Sequence, residues 1–421
     1  MTNITKSERH ILRELAKRQC EISSLPIMAE RKKHWRDLND GKTTHPMVTM
    51  EFHGLANDVY PALTCENDEA RALESQMLLQ LFKYETYKDD RVIPDSVSVA
   101  VPNWIRPFSF DAKEYKPASA KGADTMGYMY THAVHDLEKD FHVFKSSPFF
   151  VDAGLVEAYK KKAQVEDIIG DIIPIRLSFP AFWFSSANAL IQMMSMETLY
   201  LSLYDYPDLF HLLMRRLTDD YHSFIDALEA NNGIIPNNDD TCVPMDSFGY
   251  TNDLPGVGEL QRPVKLSDVW GYTNFQETVG MSISMFDEFF FSYMKEIADR
   301  CGLFAYGCCE PVHTLWEPCL SRLKTLRKLS VSPWCDEEFI GDAIRGKKIV
   351  YHRKPFPNFI SVDAVFDDEA FLMHMKKTVK AAQGCPLEIT FRDITSVRGE
   401  PWRLTRAVEL TKEAFARWWK N

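Results

Sequence analysis

The sequence predicts an α/β chain closed into an eight-stranded (β/α)8 TIM barrel, with an N-terminal helical extension at residues 1–44, the barrel over 45–421, and an insertion at 94–150 after the first strands. Three observations lead there. Short β-branched runs alternate with capped amphipathic segments four times in the C-terminal third, with no hairpin signal between them, and such alternation demands parallel strands with crossover helices. Earlier runs of the same kind bring the total to about eight, the number that closes such a barrel. No GxGxxG follows any of them, which counts against the doubly wound sheet that binds dinucleotides.

Each element has a local reason. Thr5 and Glu8 stand at capping-box spacing ahead of Ile11, Leu12, Leu15 and Ala16, which recur at helical intervals. PMVTMEF (46–52) reads as the first strand and NDEARALESQMLLQLFKY (67–84) as a long helix. Residues 94–150 are rich in Pro, Lys, Asp and aromatics, show no sustained period, and read as the insertion. DIIPIRLSF (171–179) is a β-branched run ended by Pro180, with helical material after it to Asp205. Pro207 opens and Gly233 stops the next helix. GIIPNNDD (233–240) reads as a short strand with a polar end, and LSDVWGY (266–272) as the following one. Ser284 and Asp287 open a helix that Gly302 closes before strand LFAYG. Thr314 and Glu317 cap TLWEPCLSRLK ahead of strand KLSVSPW (328–334). Asp336 and Gly346 bound one helix and Asp367 and Gly384 another, followed by strands KKIVYHRK (347–354) and LEITFRDI (387–394) respectively. A helix from Pro401 finishes the chain.

At 421 residues and 45% hydrophobic, the chain can bury a large core. Its formal charge of −11 removes nucleic acid from the expected partners, because phosphate binding wants a basic face. No apolar run approaches the ~18 residues of a membrane span, and MTNITKSERH is polar rather than a signal peptide. Nine cysteines, odd in number and scattered from Cys20 to Cys385, fit free thiols of a reducing compartment. A cytoplasmic enzyme without membrane attachment is the expectation.

In a barrel, catalytic groups gather where strands end at the C-terminal face. The predicted ends carry Glu51 and His53; Arg176, Ser178 and Phe179; Asn238, Asp239 and Asp240; Trp270, Tyr272, Gln276 and Glu277. The remaining four carry Cys308, Cys309 and Glu310; Ser332 and Trp334; His352 and Lys354; Arg392 and Asp393. Adjacent cysteines are more often small buried hydrophobes than reactive groups. Here the pair sits at a strand end with Glu310 beside it, and thiolate, carboxylate and imidazole groups together would suit zinc. Trp183, Trp270, Tyr272 and Trp334 are candidates to stack a planar substrate, Asn238 and Asp239 to bind it, and Lys354 to hold an anion. Each has a plainer reading as core, as an Asx turn, or as solvated surface.

DYPDLFHLLMRRLTDDY, GCCEP, KLSVSPW and LEITFRDITSVRGEPWRL resemble the uroporphyrinogen decarboxylase superfamily, in the branch close to corrinoid-dependent methyltransferases, from about Val48 to the C-terminus. In the zinc-containing, thiol-methylating members a His-x-Cys-Gly ends strand five, and a later cysteine completes the ligands. Carried over, the strand-five cysteine falls on Cys309, the histidine on Gly307 and the last cysteine near Asp393, so only one ligand persists. A replacement set would draw on Cys309, Asp393, Glu277 and Cys308, with Glu310 in support. The decarboxylase proper carries an Arg-Gln-Ala-Gly-Arg segment that holds substrate carboxylates, and this chain has none. The resemblance therefore implies an O-demethylase-type donor methyltransferase. It would take a methyl group from a small methylated, aromatic donor and pass it to the cob(I)amide of a separate corrinoid protein. Glu310, His352 and Lys354 are its expected catalytic groups. The alternative is a metal-free lyase of the decarboxylase type, holding substrate carboxylates with Arg176, Arg353 or Lys354. A third reading is a protein that only carries a tetrapyrrole or corrinoid.

Overall fold

The structure, a computed structural model, describes residues 4–52, 59–102, 105, 107–109, 113–115, 129–146, 151–243 and 247–420. Its parallel strands are β1 (Met47–Phe52), β2 (Val97–Ala100), β3 (Ile175–Ser178), β4 (Phe182–Trp183), β5 (Trp270–Thr273), β6 (Leu303–Tyr306), β7 (Leu326–Val331), β8 (Val350–Arg353) and β9 (Leu387–Ile394). Seven form one parallel sheet in the order β1-β9-β8-β7-β6-β5-β4. β2 and β3 form a separate parallel ladder.

The expected closed ring of eight strands is therefore an open, curled sheet with a neighbouring pair. Pro180, between β3 and β4, has no N–H to continue a ladder. Among the described residues no ladder joins β1 to β2, and side chains satisfy both lips instead. Along β1, Asp90 Oδ2 accepts from Val48 N and Asp89 Oδ2 from Met50 N, each at 2.9 Å, while Arg91 donates to Met50 O at 2.9 Å. On β2, Gln76 Nε2 donates to Ser98 O at 3.1 Å, and just before it Gln19 Nε2 donates to Pro94 O and Ser96 O at 3.0 Å. An unpaired strand edge is costly unless covered, and these groups cover it.

Other differences have equally local causes. Residues 233–240 form no strand, because Asn237 and Asn238 direct their amides to backbone groups. Trp270 N donates to Asn237 Oδ1 at 2.8 Å, and Asn238 Nδ2 donates to Leu254 O at 2.6 Å. Pro318 interrupts TLWEPCLSRLK, leaving turns and a short 3-10 turn at Leu320–Arg322. Ser282, not Ser284, caps the helix that starts at Ile283, accepting from Met285 N. Residues 94–150 lie partly outside the described residues; within them the segment supplies β2 and a small antiparallel pair, Lys113–Tyr115 with Met129–Thr131. His53 lies outside the described residues. The Thr5 capping box and the Asp336 and Asp367 caps form as their spacing predicts.

Alternation along each strand sorts two environments. Leu329, Val331, Tyr351, Ile389 and Phe391 are buried in the main apolar core. The residues between them, Lys328, Ser330, His352, Glu388 and Thr390, are buried and polar. Register puts Ser330 beside His352 and His352 beside Glu388, so these groups form a belt across β7, β8 and β9. Among the described residues no helix is long and apolar enough to cross a membrane.

Candidate active site

β6 ends in a turn that only glycine fits comfortably. Gly307 has φ +98°, and a Cβ there would meet Ser330 Cβ at 3.1 Å and Val312 Cγ1 at 3.2 Å. The turn delivers Cys308 and Cys309 to the strand ends, and Glu310 fixes it from below. Its Oε1 accepts from Phe275 N at 2.9 Å and its Oε2 from Cys308 N at 2.8 Å, with the side chain buried. Both oxygens of Glu310 are thus engaged by backbone, which makes it an anchor for the loop rather than the acid or base expected of it.

The two sulfurs lie 3.6 Å apart. Arg392, two residues beyond Thr390 on β9, points Nη1 at Cys308 Sγ from 3.6 Å. Lys354, just past β8, donates to Ser330 Oγ at 2.5 Å and reaches Cys308 O at 3.5 Å, while Ser330 Oγ donates to the same carbonyl at 3.0 Å. A hydrogen bond from Cys309, with the charges of Lys354 and Arg392, lowers the Cys308 thiol to about 7 against the burial that opposes it. The same hydrogen bond holds Cys309 as the thiol and pushes it well above its ordinary value. Burial lowers Lys354, and the Cys308 anion counters that effect. Tyr272, on the neighbouring strand β5, is raised by burial and then by the charges of Cys308 and Glu310. The arrangement is a thiolate facing two cations.

The four expected zinc ligands are not gathered. Cys309 Sγ stands 4.0 Å from Asp393 Oδ2, and Asp393 also lies 3.4 Å from Arg392 Nε. Glu277 turns Oε1 to Asn188 Nδ2 at 3.1 Å, and burial raises its carboxyl. Among the described residues no group of three or more His, Cys, Asp or Glu side chains is placed to hold a metal ion. Two cations beside Cys308 also oppose a third, so the donor set does not fit zinc.

Other candidates fall elsewhere. Trp270 is the first residue of β5, fully buried, donating to Gly249 O at 2.9 Å. Asn237 is bonded to it, so Asn238 and Asp239 also lie toward the N-terminal ends of the strands, opposite the thiols. Asn238 and Asp239 were expected at the mouth because residues 233–240 read as a strand, and Trp270 because 266–272 read as one ending there, whereas the strand runs Trp270–Thr273. His352 sits within the polar belt, its Nε2 2.9 Å from Thr390 Oγ1 and 3.6 Å from Glu388 Oε1. Burial, then the charges of Lys354, Lys328 and Arg392, lower it well below its ordinary value, so it is a neutral interior group. Trp183 is 40% exposed, with its indole toward Asn274, and Trp334 is 66% exposed, packing edge-on to Phe356. Both are surface aromatics. Arg176 pairs with Asp95 at 3.1 Å and the buried Arg353 with Glu337 at 3.0 Å, so neither joins Lys354. Sequence reasoning gave Ser330 no place and Arg392 no role. The signal was their alternation with Lys328 and Thr390, which sets all four on the inner face.

No family model matches the chain, and no curated protein matches it. A methyltransferase from Methanosarcina mazei has a similar fold, with a TM-score of 0.50 over 92% of this chain and 99% of that one, at 12% identity. At that identity the likeness concerns the fold.

Proposed function

We propose that this chain is a methyltransferase that removes the methyl group of a small aromatic methyl ether and delivers it to the corrinoid of a separate protein. The observation that carries the reading is the cluster of Cys308, Arg392 and Lys354 at the C-terminal strand ends, where this architecture gathers its chemistry. The partner's corrinoid supplies the nucleophile for the methyl carbon. What the chain itself must supply is relief for the leaving group, because an aryloxide departs with the electron pair of the broken C–O bond. Lys354 and Arg392 provide fixed positive charge where water is scarce, so they stabilise that oxygen more than the neutral ether. The Cys308 thiolate keeps both cations in place before the oxyanion forms. Tyr272 offers its ring as a wall for the substrate. The aryloxide takes its proton from water on release, so no acid of the chain is required.

The test uses free cob(I)alamin as a surrogate acceptor with 2-methoxyphenol as donor. Loss of cob(I)alamin absorbance together with formation of catechol is expected, falling about 100-fold or more in Lys354→Met. Full activity in that variant, or no transfer with any methoxylated aromatic, would refute the proposal.

A further inference from the structure

Cys308 and Cys309 are free thiols on consecutive residues, and the structure brings their sulfurs to 3.6 Å. In an extended strand consecutive side chains point to opposite faces. The contact exists because the chain leaves β6 at Gly307 and bends through both cysteines. Both are partly exposed, whereas Cys65, Cys301, Cys319 and Cys385 are buried. Methyl transfer as proposed calls on the charge at Cys308 and needs no second sulfur. A sulfur held against a nucleophilic one has a chemistry of its own.

Two neighbours prepare the pair for it. Arg392 Nη1, 3.6 Å from Cys308 Sγ, favours a thiolate there, and the thiolate is the form that reacts with oxidants. Asp393 Oδ2 stands 4.0 Å from Cys309 Sγ, within reach of the proton which that sulfur gives up when it bonds.

We propose that Cys308 and Cys309 are a hydroperoxide-reactive pair that closes reversibly into a disulfide between neighbouring residues. Cys308 Sγ attacks one oxygen of the hydroperoxide. An S–O bond forms, the O–O bond breaks, and the departing alkoxide or hydroxide takes up the proton that Cys308 had released. Cys309 Sγ then attacks Cys308 Sγ, forming the S–S bond and breaking S–O, and the hydroxide leaves as water with the proton of Cys309. The two thiols together lose two electrons and the hydroperoxide gains them, so no further co-reactant enters. Adjacent residues hold their Cα atoms about 3.8 Å apart, against roughly 4.4–6.8 Å in ordinary disulfides, so the bridge yields readily to a thiol reductant. Closing it removes the anion that faces Arg392 and Lys354. Arrest of methyl transfer by that loss rests on the reading above, whereas the oxidation itself does not.

The test treats the full chain with one equivalent of hydrogen peroxide and reads the sulfur chemistry rather than activity. The peptide holding both cysteines should become lighter by two hydrogens, and two thiols per chain should be lost to alkylation in denaturant. Dithiothreitol should restore both. Cys309→Ser lacks the second sulfur, so dimedone should trap the sulfenic acid of its Cys308 about tenfold or more above the native chain. If Cys309→Ser fails to fold, the native peptide decides. A peptide retaining both hydrogens, a cross-link from either cysteine to Cys335, or equal dimedone labelling of the two folded proteins overturns the proposal.

Discussion

Arg392 at the end of β9 directs Nη1 to Cys308 Sγ beyond β6, 3.6 Å away, although β8 and β7 lie between those strands in the sheet. The contact is a chord across a curved sheet, and it exists only because the inner faces of nonadjacent strands converge. It joins a permanent cation to the sulfur most able to lose its proton, and the electrostatics of the site follow from it.

The first consequence is the pH profile of thiol alkylation. With Cys308 lowered to about 7 and Cys309 held protonated, one thiol per chain should react fast with iodoacetamide, with a midpoint near neutrality. Cys308→Ala should remove that phase. Arg392→Gln should move the midpoint to higher pH and slow the reaction at pH 7, because a weaker acid leaves less thiolate there. An unchanged midpoint would mean that the guanidinium does not act on the sulfur.

Glu310 carries the second. Replacing it by Gln puts an amide N–H₂ against one of the backbone donors, Phe275 N or Cys308 N, that the carboxylate now accepts from. A buried donor left without an acceptor costs about 1–3 kcal/mol. Urea unfolding should show that loss, and the fast thiol phase should lose its neutral midpoint as Cys308 is no longer held. Loss of activity with stability and thiol titration unchanged would point to direct chemistry by Glu310.

Legibility in the sequence followed locality. The caps at Thr5, Asp336 and Asp367 depend on residues three apart, and the span LEITFRDI is the strand β9 residue for residue. The two-residue strand Phe182–Trp183 is too short for any period to mark it. Which end of a strand a residue occupies is a property of the assembled sheet. Trp270 therefore moved from the expected mouth to the opposite end, taking Asn238 and Asp239 with it. The Cys308–Cys309–Lys354 grouping was legible because an apolar run ends at each of its parts. Its failure as a zinc tetrad was not, because the separations among Cys309, Asp393 and Glu277 depend on the curvature of the sheet.

His352 predicts an acid limit on stability. Its folded value lies well below the ordinary one because burial disfavours the imidazolium. Below about pH 6.5 the unfolded chain therefore binds a proton that the folded chain does not, and stability falls as pH falls, by about 1.4 kcal/mol per pH unit from this group. The contribution is fully present above that value. Urea titrations from about pH 7.5 to about pH 5, a range that brackets the ordinary imidazole value, should show a shallower acid-side slope in His352→Gln than in the native chain. Equal slopes would assign the acid sensitivity to other groups.

Elemental analysis of the purified protein and of Cys309→Ala tests the donor set. With Arg392 and Lys354 at Cys308, and Glu277 turned to Asn188, stoichiometric zinc is not expected in either protein, and chelation should leave thiol reactivity unchanged. One zinc per chain, lost in Cys309→Ala, would show that Asp393 and the thiols close around a metal.

Gly307 bears on the same question, because the resemblance read from the sequence would align a metal-binding histidine with that position. Its φ of +98° is open to glycine and strained for other residues, and a Cβ would press on Ser330 Cβ at 3.1 Å and Val312 Cγ1 at 3.2 Å. Gly307→Ala should cost at least about 1 kcal/mol in urea unfolding, through strain and through displacement of Ser330 from Cys308 O. Gly307→His should cost more and should not create zinc binding, because a strained left-handed turn whose Cβ already presses on Ser330 and Val312 is poorly placed to carry an imidazole toward Cys309. If Gly307→His instead folds with native stability and takes up zinc, the turn is more adaptable than its packing indicates.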